Sequence, residues 1–529
     1  MTDAIPEGAG PGPGAEAPPP HDEQGTPRAT AVSGVLLVLL SFGFRMPALL
    51  NARSTNSDAA VVGLQAMHIL RGEHSAYLWG SGYQTSADSY VAAAFFATFG
   101  PSPLALMLSS LVLHVVATSF VFATVLRRAG PWLAYVLVMP LIFAPASVHT
   151  YALYPPRQLA ITLALVSLWS IDGAGEQPVE RARPWLVGGG LLFGLALSAD
   201  PYPLILAPVV VGYVVAVSWG AVVSRGLSFV GAFIIGIIPL MKLRLSGGAN
   251  DGPLGLSLHV IKHNAIILWN DCLPWALSYR VYTAHDPSHY VPWDAPVYVQ
   301  AIQLMGAFSV AAIVIAGLGA VREKTLSWPV RRAGMMGSAG WVVTIAGFLV
   351  SVMVMDHFSM RYLAVLTLLL PLAALPAARM LRVWRFAAVL APHAISAAIC
   401  GWMGYGPFVK GFLPVAELPE IRDDYAVLDS LKSRGVKYAE ADYWASYRLT
   451  LLYNEELIVV PNNEHEDRYA PYRRAFEAAP VFAYIYDRGR SREDLAATEH
   501  DLVTQNARVE KADIGTLTVF VVTRKEKEK

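Results

Sequence analysis

The amino-acid sequence predicts a polytopic α-helical membrane protein that carries a small α/β domain near its C-terminal end. Three observations predict this class. The chain has 529 residues, of which 54% are hydrophobic and only 15% are charged, whereas a soluble protein of this length needs a larger charged surface. Apolar stretches of about 17–25 residues, the length that crosses a bilayer as a helix, recur up to residue 403. After residue 404, short strand patterns alternate with helical patterns.

Residues 1–29 differ from the rest of the chain because they are rich in Gly, Pro and Ala and contain almost no large apolar side chains. Such a segment cannot bury enough surface to fold. It also lacks the basic start and the small-residue cleavage site of a secretory signal. We therefore expect a disordered cytoplasmic tail. The formal net charge of the chain is zero, so the bulk charge does not indicate a nucleic-acid partner.

About eleven segments in residues 30–403, the predicted transmembrane domain, have the length and composition of membrane spans. Arg and Lys concentrate in alternate connections between them, which places the N-terminus in the cytoplasm and residues 404–529 outside. The sequence thus predicts a multi-pass membrane protein with an extracytoplasmic C-terminal domain. The predicted spans are residues 31–50, 102–125, 131–149, 157–172, 185–200, 203–222, 227–245, 299–320, 337–355, 361–378 and 385–403.

Two connections on the predicted outer side are too long or too polar to be simple turns. The first, residues 51–101, contains two short amphipathic helical patterns. The second, residues 246–298, is dense in Trp and Tyr, which is typical of the membrane–water interface. Two readings stay open for this aromatic loop, namely a lid over a substrate that is partly embedded in the membrane and an interfacial anchor.

Charged residues collect at the predicted outer ends of the spans rather than at mid-membrane depth. Ionisable groups in or near a span are costly and usually functional. A transporter would place such groups along a path near the midplane. The distribution therefore favours chemistry at the outer lipid–water boundary, on a substrate that is partly embedded in the membrane.

Three stretches of the sequence carry a family resemblance: "SFGFRMPALLNARSTNSDAAVVGLQAMHILRGE", "GYQTSADSYVAAAFFATFGPSPLALML" and "MRYLAVLTLLLPLA". They resemble the GT-C superfamily of polyprenyl-phosphate-sugar-dependent glycosyltransferases. Within it, the chain is similar to bacterial members of glycosyltransferase family 39, which includes protein O-mannosyltransferases and the aminoarabinose transferase that acts on lipid A. The similarity is clear over residues 35–125 and weaker over residues 130–400. One departure is a single carboxylate, Asp58, where many relatives have two adjacent acidic residues.

The resemblance implies an integral glycosyltransferase of the bacterial inner membrane. It would move a sugar from a polyprenyl-phosphate donor to a hydroxyl of an extracytoplasmic glycan, lipid or protein acceptor. Asp58 matches the catalytic base of the family. Asp88 matches a second acidic position, where it would hold the acceptor or tune Asp58 by charge repulsion. The alternative for both residues is a helix cap, because helix N-termini favour acidic side chains.

The donor phosphate needs a cationic partner, and Arg361 is the first candidate because Arg can bind a phosphate through two parallel hydrogen bonds. Tyr362 would add a hydroxyl contact. The alternative for Arg361 is an arginine that snorkels at the end of a span. The remaining candidates for substrate binding are Arg157, Lys262, His263 and Arg45, of which Arg45 would pair with a carboxylate or a lipid headgroup.

The sequence shows no zinc spacing, no phosphate-binding glycine loop and no serine triad. Cys272 and Cys400 match no metal or redox spacing, so two unpaired thiols are favoured over a disulfide. No cofactor is predicted beyond the lipid-linked sugar, and dependence on a divalent metal is left open. Two alternative functions also stay open: a transporter or flippase of lipid-linked sugars, and an envelope scaffold that acts through the C-terminal domain.

Overall fold

The computed structural model describes most of the chain from Pro27 to Arg524. The predicted disordered tail lies outside the described residues except at its end, where the first helix begins at Pro27. The described ranges are residues 27–53, 55–145, 152–219, 222–245, 256–280, 282–286, 289–405, 409–410, 413–414, 419–487, 497, 499–501 and 508–524.

The first part of the chain is helical up to residue 403. Its α-helices are α1 (Pro27–Gly43), α2 (Met46–Leu50), α3 (Ser57–Leu70), α4 (Ala87–Phe99), α5 (Pro103–Ala129), α6 (Pro131–Ile142), α7 (Gln158–Ala174), α8 (Val179–Ala199), α9 (Ala207–Ser218), α10 (Val222–Leu245), α11 (Leu258–Ile267), α12 (Leu273–Ala276), α13 (Val297–Gly319), α14 (Trp328–Leu349), α15 (Ala364–Met380) and α16 (Val383–Met403). Shorter elements are the 3-10 helices Tyr202–Leu206, Ala320–Arg322 and His357–Leu363, the π-helical turn Leu268–Cys272, and the hairpin β1 (Tyr282–Asp286) and β2 (His289–Pro292).

Six of these helical segments are long and apolar enough to cross a membrane. Four further apolar helices are shorter, and a helix also occupies each of the eleven predicted span ranges. The number of membrane crossings and the side on which the termini lie remain predictions. The six long segments are Pro103–Ala129, Glu180–Ala199, Val223–Lys242, Val297–Arg322, His357–Met380 and Val383–Met403.

Helix α5 shows how the sequence sets the ends of these helices. At its start, the Ser102 hydroxyl accepts a hydrogen bond from the Ala105 amide at 3.2 Å, and Pro103 occupies the first turn. At its end, Gly130 adopts a φ of +74°, which stops the helix at low cost because glycine has no β-carbon. Arg127 and Arg128 lie in the last turn, where positive charge is favoured.

One end of the bundle is held by a buried carboxylate on α7, and we name this group the Asp172 cluster (Asp172, Arg127, Arg128, Arg332 and Tyr213). Arg128 Nη2 lies 2.8 and 2.7 Å from the two carboxylate oxygens of Asp172. Arg332 Nη2 donates to Oδ1 at 3.2 Å, the Tyr213 hydroxyl donates to the same oxygen, and Arg127 Nη1 lies 3.6 Å from Oδ2. Four helices are therefore joined through one side chain that is fully buried.

The last part of the chain forms a five-stranded sheet with helices. The strand order is β6-β5-β7-β9-β8, in which β6, β5 and β7 are parallel and β9 is antiparallel to both of its neighbours. Four of these strands lie at the sequence patterns "VKYAEA", "ELIVVP", "VFAYIYD" and "TLTVFVV", which predict strands, and the fifth (Arg508–Ile514) was not predicted from the sequence. The elements are α17 (Pro419–Ser433), β5 (Tyr438–Ala441), α18 (Tyr443–Leu452), β6 (Ile458–Pro461), α19 (Ala470–Ala478), β7 (Val481–Asp487), β8 (Arg508–Ile514) and β9 (Leu517–Thr523), preceded by the short strands β3 (Val409–Lys410) and β4 (Leu413–Pro414) and interrupted by the 3-10 helix Glu464–Glu466.

This sheet region shares a hydrophobic core with α3, which lies between it and the rest of the bundle. Val62 and Leu64 of α3 belong to the same buried cluster as Leu451, Phe476 and Phe520. Such burial of apolar surface favours a fixed position of the sheet on α3. We refer to this end of the molecule as the α3 end, and to the other as the Asp172 end.

A polar contact, which we name the His68 junction, also joins α3 to the sheet region. His68 Nδ1 lies 2.7 Å from Glu73 Oε2, and His68 Nε2 lies 2.7 Å from Glu455 Oε1. Arg71 and the Tyr472 hydroxyl also contact Glu455. Both ring nitrogens of the histidine thus face carboxylates, which favours the protonated imidazolium. The surrounding rings are Trp79, Tyr469 and Tyr472.

Candidate active site

Asp58 lies in the first turn of α3 and is not the residue that caps this helix. Asn56 is the N-cap, with an extended backbone (φ −98°, ψ 164°), and its side-chain oxygen accepts a hydrogen bond from the Ala59 amide at 2.8 Å. Asp58 lies inside the first turn, where a negative charge is favoured by the helix dipole. Because Asn56 supplies the cap, the carboxylate of Asp58 is left for another partner.

That partner comes from the sheet region. The Tyr443 hydroxyl donates a hydrogen bond to Asp58 Oδ1 at 2.5 Å. Within the described part of the chain, Oδ2 of this half-buried side chain makes no hydrogen bond. Neighbouring contacts align the two helices, because the Ser57 hydroxyl donates to the Trp444 carbonyl at 3.0 Å. One carboxylate oxygen is therefore held and the other is available.

Asp88, in the first turn of α4, serves as a cap for a different helix. It is buried, its Oδ2 accepts from the Arg157 amide at 3.1 Å, and its Oδ1 accepts from the Leu159 amide at 3.3 Å. Burial raises the pKa of Asp88 to about 6 despite these hydrogen bonds. Among the described residues no hydrogen bond or ion pair joins Asp88 to Asp58. The cap interpretation therefore fits its contacts, and a role on the acceptor remains a prediction.

Arg157 is fixed at the start of α7 by two carboxylates. Its φ of 102° is unusual for a residue other than glycine, and the hydrogen bond from its amide to Asp88 helps to hold this conformation. Its Nε lies 3.1 Å from Asp200 Oδ2, and Gln84 also donates to Asp200. The charge of Arg157 is thus largely neutralised by the protein. Its guanidinium carbon lies 5.0 Å from the centre of the Tyr362 ring.

Arg361 lies over the same ring but has no such counterion. It belongs to the 3-10 helix His357–Leu363, which Asp356 caps by accepting from the Phe358 amide at 2.9 Å. The Arg361 guanidinium carbon lies 5.3 Å from the centre of the Tyr362 ring, and Nη2 lies 3.5 Å from the Tyr362 hydroxyl. Its Nε is buried without a hydrogen-bond partner, and no described carboxylate forms an ion pair with it. The guanidinium groups of Arg157 and Arg361 thus both lie over the ring of Tyr362. Arg361 has no described carboxylate partner, so its guanidinium group can bind an anion.

The structure corrects the expectation for Arg45. The helix is interrupted at this residue, between α1 and α2. The interruption turns the Arg45 side chain into the bundle, where it is fully buried. Its Nη1 donates to the Ser41 and Ile142 carbonyls at 2.9 and 3.0 Å, and Nη2 donates to the Leu141 carbonyl at 3.2 Å. Arg45 therefore satisfies carbonyls at the end of α6, rather than the predicted carboxylate or headgroup.

Lys262 and His263 do not join the residues around Tyr362. Both are exposed on α11, and the described residues give neither of them a hydrogen bond or ion pair. Their neighbour Asn264 is buried and donates to the Leu349 and Ser351 carbonyls at 3.0 and 2.7 Å, so it holds α11 against the end of α14. A role for Lys262 or His263 on the substrate remains a prediction.

The sequence did not single out Tyr443 and Arg468 as site residues. Tyr443 lies in a stretch that reads as core, and it is in fact buried. Arg468 Nε donates to the Tyr443 hydroxyl at 3.2 Å, and its Nη1 donates to the Gly80 carbonyl at 3.0 Å. No sequence signal links them to Asp58, because residues 385 positions apart meet only in the folded chain.

The described residues contain no group of three or more His, Cys, Asp or Glu side chains that could hold a metal ion. Cys272 and Cys400 are both buried, and no disulfide joins them.

No protein-family model and no curated protein matches the sequence. Solved structures do resemble the chain. ArnT from Cupriavidus metallidurans bound to undecaprenyl phosphate aligns with a TM-score of 0.57 and 12% identity, over 92% of this chain and 97% of that chain. Its apo state aligns with a TM-score of 0.54 and 12% identity, over 93% and 98%. The structural neighbours are GT-C superfamily members, and the chain has the GT-C fold that the resemblance predicted.

Proposed function

We propose that the protein is a membrane glycosyltransferase. It moves one sugar from a polyprenyl-phosphate donor to a hydroxyl of an acceptor at the α3 end of the molecule. The observation that carries this proposal is Asp58, whose Oδ2 makes no hydrogen bond to any described residue and which lies on a helix that Asn56 already caps. ArnT, which has a similar fold, was solved with undecaprenyl phosphate bound, and this supports a polyprenyl phosphate as the carrier.

The transfer needs a base and correct alignment more than it needs further activation. A sugar on a phosphate already has a good leaving group, so the acceptor hydroxyl must be deprotonated and aimed at the anomeric carbon. Asp58 Oδ2 accepts the proton of that hydroxyl. The acceptor oxygen then forms the new bond to the anomeric carbon while the bond to the lipid phosphate breaks. A single displacement of this kind inverts the anomeric configuration.

The departing lipid phosphate gains negative charge, and Arg361 supplies the positive charge that stabilises it. Its buried Nε has no hydrogen-bond partner among the described residues, and a guanidinium group can bind two phosphate oxygens at once. Tyr362 supports Arg361 through its ring and places its hydroxyl beside Nη2. Arg157, which is already paired with Asp200, adds a second cation near this point.

The test compares envelope lipids and glycans from a deletion strain with those of the complemented strain by mass spectrometry. A sugar-bearing species should disappear on deletion and return with the wild-type gene. Membrane vesicles from the deletion strain contain the lipid-linked sugars and acceptors of that strain. The rate at which the wild-type protein or a variant forms the sugar-bearing species can therefore be measured in these vesicles. Asp58→Asn should insert normally and abolish the product.

Glu180→Gln is the matched control. Glu180 is also an acidic residue in the first turn of a helix, α8, but it is exposed. This variant should form product at the wild-type rate. Product formation by Asp58→Asn at that rate would refute the assignment of the base, and transbilayer movement of the lipid-linked sugar without a new bond would favour a flippase.

A further inference from the structure

The hydrogen bond between Tyr443 and Asp58 links the C-terminal sheet region to the candidate base. A carboxylate has two equivalent oxygens, and its side chain can rotate between several orientations. A donor fixed on Oδ1 removes that freedom and leaves Oδ2 as the acceptor for a substrate proton. The distance of 2.5 Å is that of a strong, charge-assisted hydrogen bond.

Tyr443 is itself held in place. It is the first residue of α18, and Asp442 caps this helix by accepting from the Trp444 amide at 2.9 Å. Arg468 Nε donates to the Tyr443 hydroxyl at 3.2 Å, and the Arg468 guanidinium carbon lies 5.3 Å from the centre of the tyrosine ring. Because the hydroxyl oxygen accepts from Arg468, its own proton is directed to Asp58.

The electrostatics keep Tyr443 in the donor state. Burial raises the pKa of its hydroxyl far above the ordinary value, and the negative charge of Asp58 raises it further. The tyrosine therefore keeps its proton at neutral pH. Arg468 also donates to the Gly80 carbonyl at 3.0 Å, so the same arginine fixes Tyr443 and the loop that leads to Gln84.

We propose that Tyr443 is a positioning residue for Asp58, with Arg468 as its support, and that the start of α18 is therefore part of the active site. This inference rests on the proposed function, because it assigns a role to Tyr443 in the reaction that Asp58 catalyses. Tyr443 does not exchange a proton in the reaction. The acceptor proton goes to Asp58 Oδ2, and Tyr443 keeps its own proton throughout.

A purely structural role would give a different result. The sheet region is already joined to α3 by the Ser57 contact, by the His68 junction and by the shared apolar core. If the tyrosine hydroxyl only added to this docking, its removal would slightly lower stability and would not alter the pH dependence of the reaction. The two roles can therefore be separated by the pH profile.

The experiment uses the full-length protein in the deletion-strain vesicles described above, with Tyr443→Phe as the main variant. We expect the initial rate of product formation to fall about tenfold, the effect of losing one hydrogen bond to a charged group. The acid limb of the pH–rate profile should move to higher pH, because a carboxylate that loses a donor is less easily kept ionised. The lipid-linked sugars and acceptors are the same in every vesicle preparation, so differences between profiles report the enzyme.

Tyr447→Phe is the matched control. Tyr447 lies one turn further along α18, is also buried, and accepts a hydrogen bond from the Arg468 amide at 2.6 Å, but no hydrogen bond of the described residues joins it to Asp58. Its removal should leave the shape of the pH profile unchanged. If Tyr443→Phe fails to fold, as judged by its unfolding temperature in detergent, Arg468→Gln is the second variant. It should slow product formation less and shift the acid limb in the same direction.

The outcomes distinguish this inference from the proposed function. If Asp58→Asn is inactive while Tyr443→Phe keeps the wild-type rate and pH profile, the positioning role is overturned and the base assignment stands. If Asp58→Asn is fully active, the proposed function itself fails.

Discussion

Helix α7 runs between two groups of charged residues. The groups differ in how many of their charged side chains have hydrogen-bond or ion-pair partners within the protein. Near its last turn, the Asp172 cluster surrounds one carboxylate with two close arginines and a tyrosine hydroxyl, and both oxygens are bonded. Before its first turn, at the α3 end, Arg361 has no described counterion, and Asp58 has one unbonded oxygen. A buried charge with a full set of partners stabilises the fold, whereas an incomplete set is where a ligand can bind.

The largest effect that this comparison predicts is on stability. Asp172→Ala should leave the buried Arg332 without the carboxylate it pairs with and Arg128 with Glu176 alone, and should lower the free energy of unfolding by about 3–5 kcal/mol. Asp58→Ala, which removes a half-buried carboxylate at a helix that Asn56 caps, should cost far less. The unfolding temperature and the yield of monodisperse protein in detergent measure both variants. A greater loss for Asp58→Ala would reverse the roles given to the two regions.

The second effect concerns the binding of undecaprenyl phosphate. Arg361→Ala should weaken this binding by about 1.5–3 kcal/mol, the range for hydrogen bonds to a charged group, with little change in stability. Arg385 is the matched control, because it also lies over an aromatic ring, 5.0 Å from the centre of Trp384, but is exposed. Titration of purified protein with undecaprenyl phosphate checks both variants. Equal affinities for Arg361→Ala and Arg385→Ala would remove Arg361 from the donor site.

The third effect concerns the His68 junction, where ionised side chains join α3 to the sheet region. We expect the stability of this junction to depend on pH. Burial alone would raise the pKa of Glu455, but hydrogen bonds from His68, Tyr472 and Arg71 lower it to about 2. Burial alone would lower the pKa of His68, but hydrogen bonds to Glu455 and Glu73 raise it above 6.5. The stabilising contribution of Glu455 is therefore present above pH 4.5 and is lost as the pH falls toward 2.

The contribution of His68 is complete below pH 6.5 and is lost as the pH rises through its higher folded-state pKa. Docking of the sheet region should thus be tightest between these limits, with losses on the order of 1–2 kcal/mol on either side after allowance for solvent. Amide hydrogen exchange in α3 and α18 as a function of pH measures this. His68→Gln should abolish the loss at high pH, while His74→Gln, at an exposed histidine bonded to Tyr90, should retain it.

The smallest effect separates the helix cap from the base. Asn56→Ala should lower the free energy of unfolding by about 1 kcal/mol, the usual effect of losing a side-chain cap, while product formation continues in the deletion-strain vesicles. Asp58→Asn should show the opposite pattern, with stability retained and product lost. If Asn56→Ala abolished product formation without loss of stability, the cap and the base could not be assigned to different residues.

How far the sequence predicts these sites depends on the range of the interactions. The helix after Asp58 and the strand positions near the C-terminus follow from local patterns, and the structure places elements there. Arg45 was misplaced because the predicted span at residues 31–50 ran through the break between α1 and α2. A hydrophobicity pattern does not show that the interruption between the two helices turns the Arg45 side chain toward the carbonyls at the end of α6.

Asp172 and Tyr443 show the same limit in another way. Asp172 lies in the last predicted turn of a span, where it was not recognised because its three arginines come from other parts of the sequence. Tyr443 reads as an ordinary core residue, since only the folded chain brings its hydroxyl to Asp58. Residue type and spacing can nominate a carboxylate, but its partners are set by the packing of distant segments.

The contact between Tyr443 and Asp58 also has a consequence for how the protein is made. The carboxylate is synthesised early, while the tyrosine that holds it is added 385 residues later. A nascent chain that is still emerging from the ribosome therefore carries the proposed base without the tyrosine that is proposed to position it. Catalytic competence would arise only when translation is nearly complete and the last strands have folded, so truncated products in the membrane should be poor catalysts even when all of their helices are inserted.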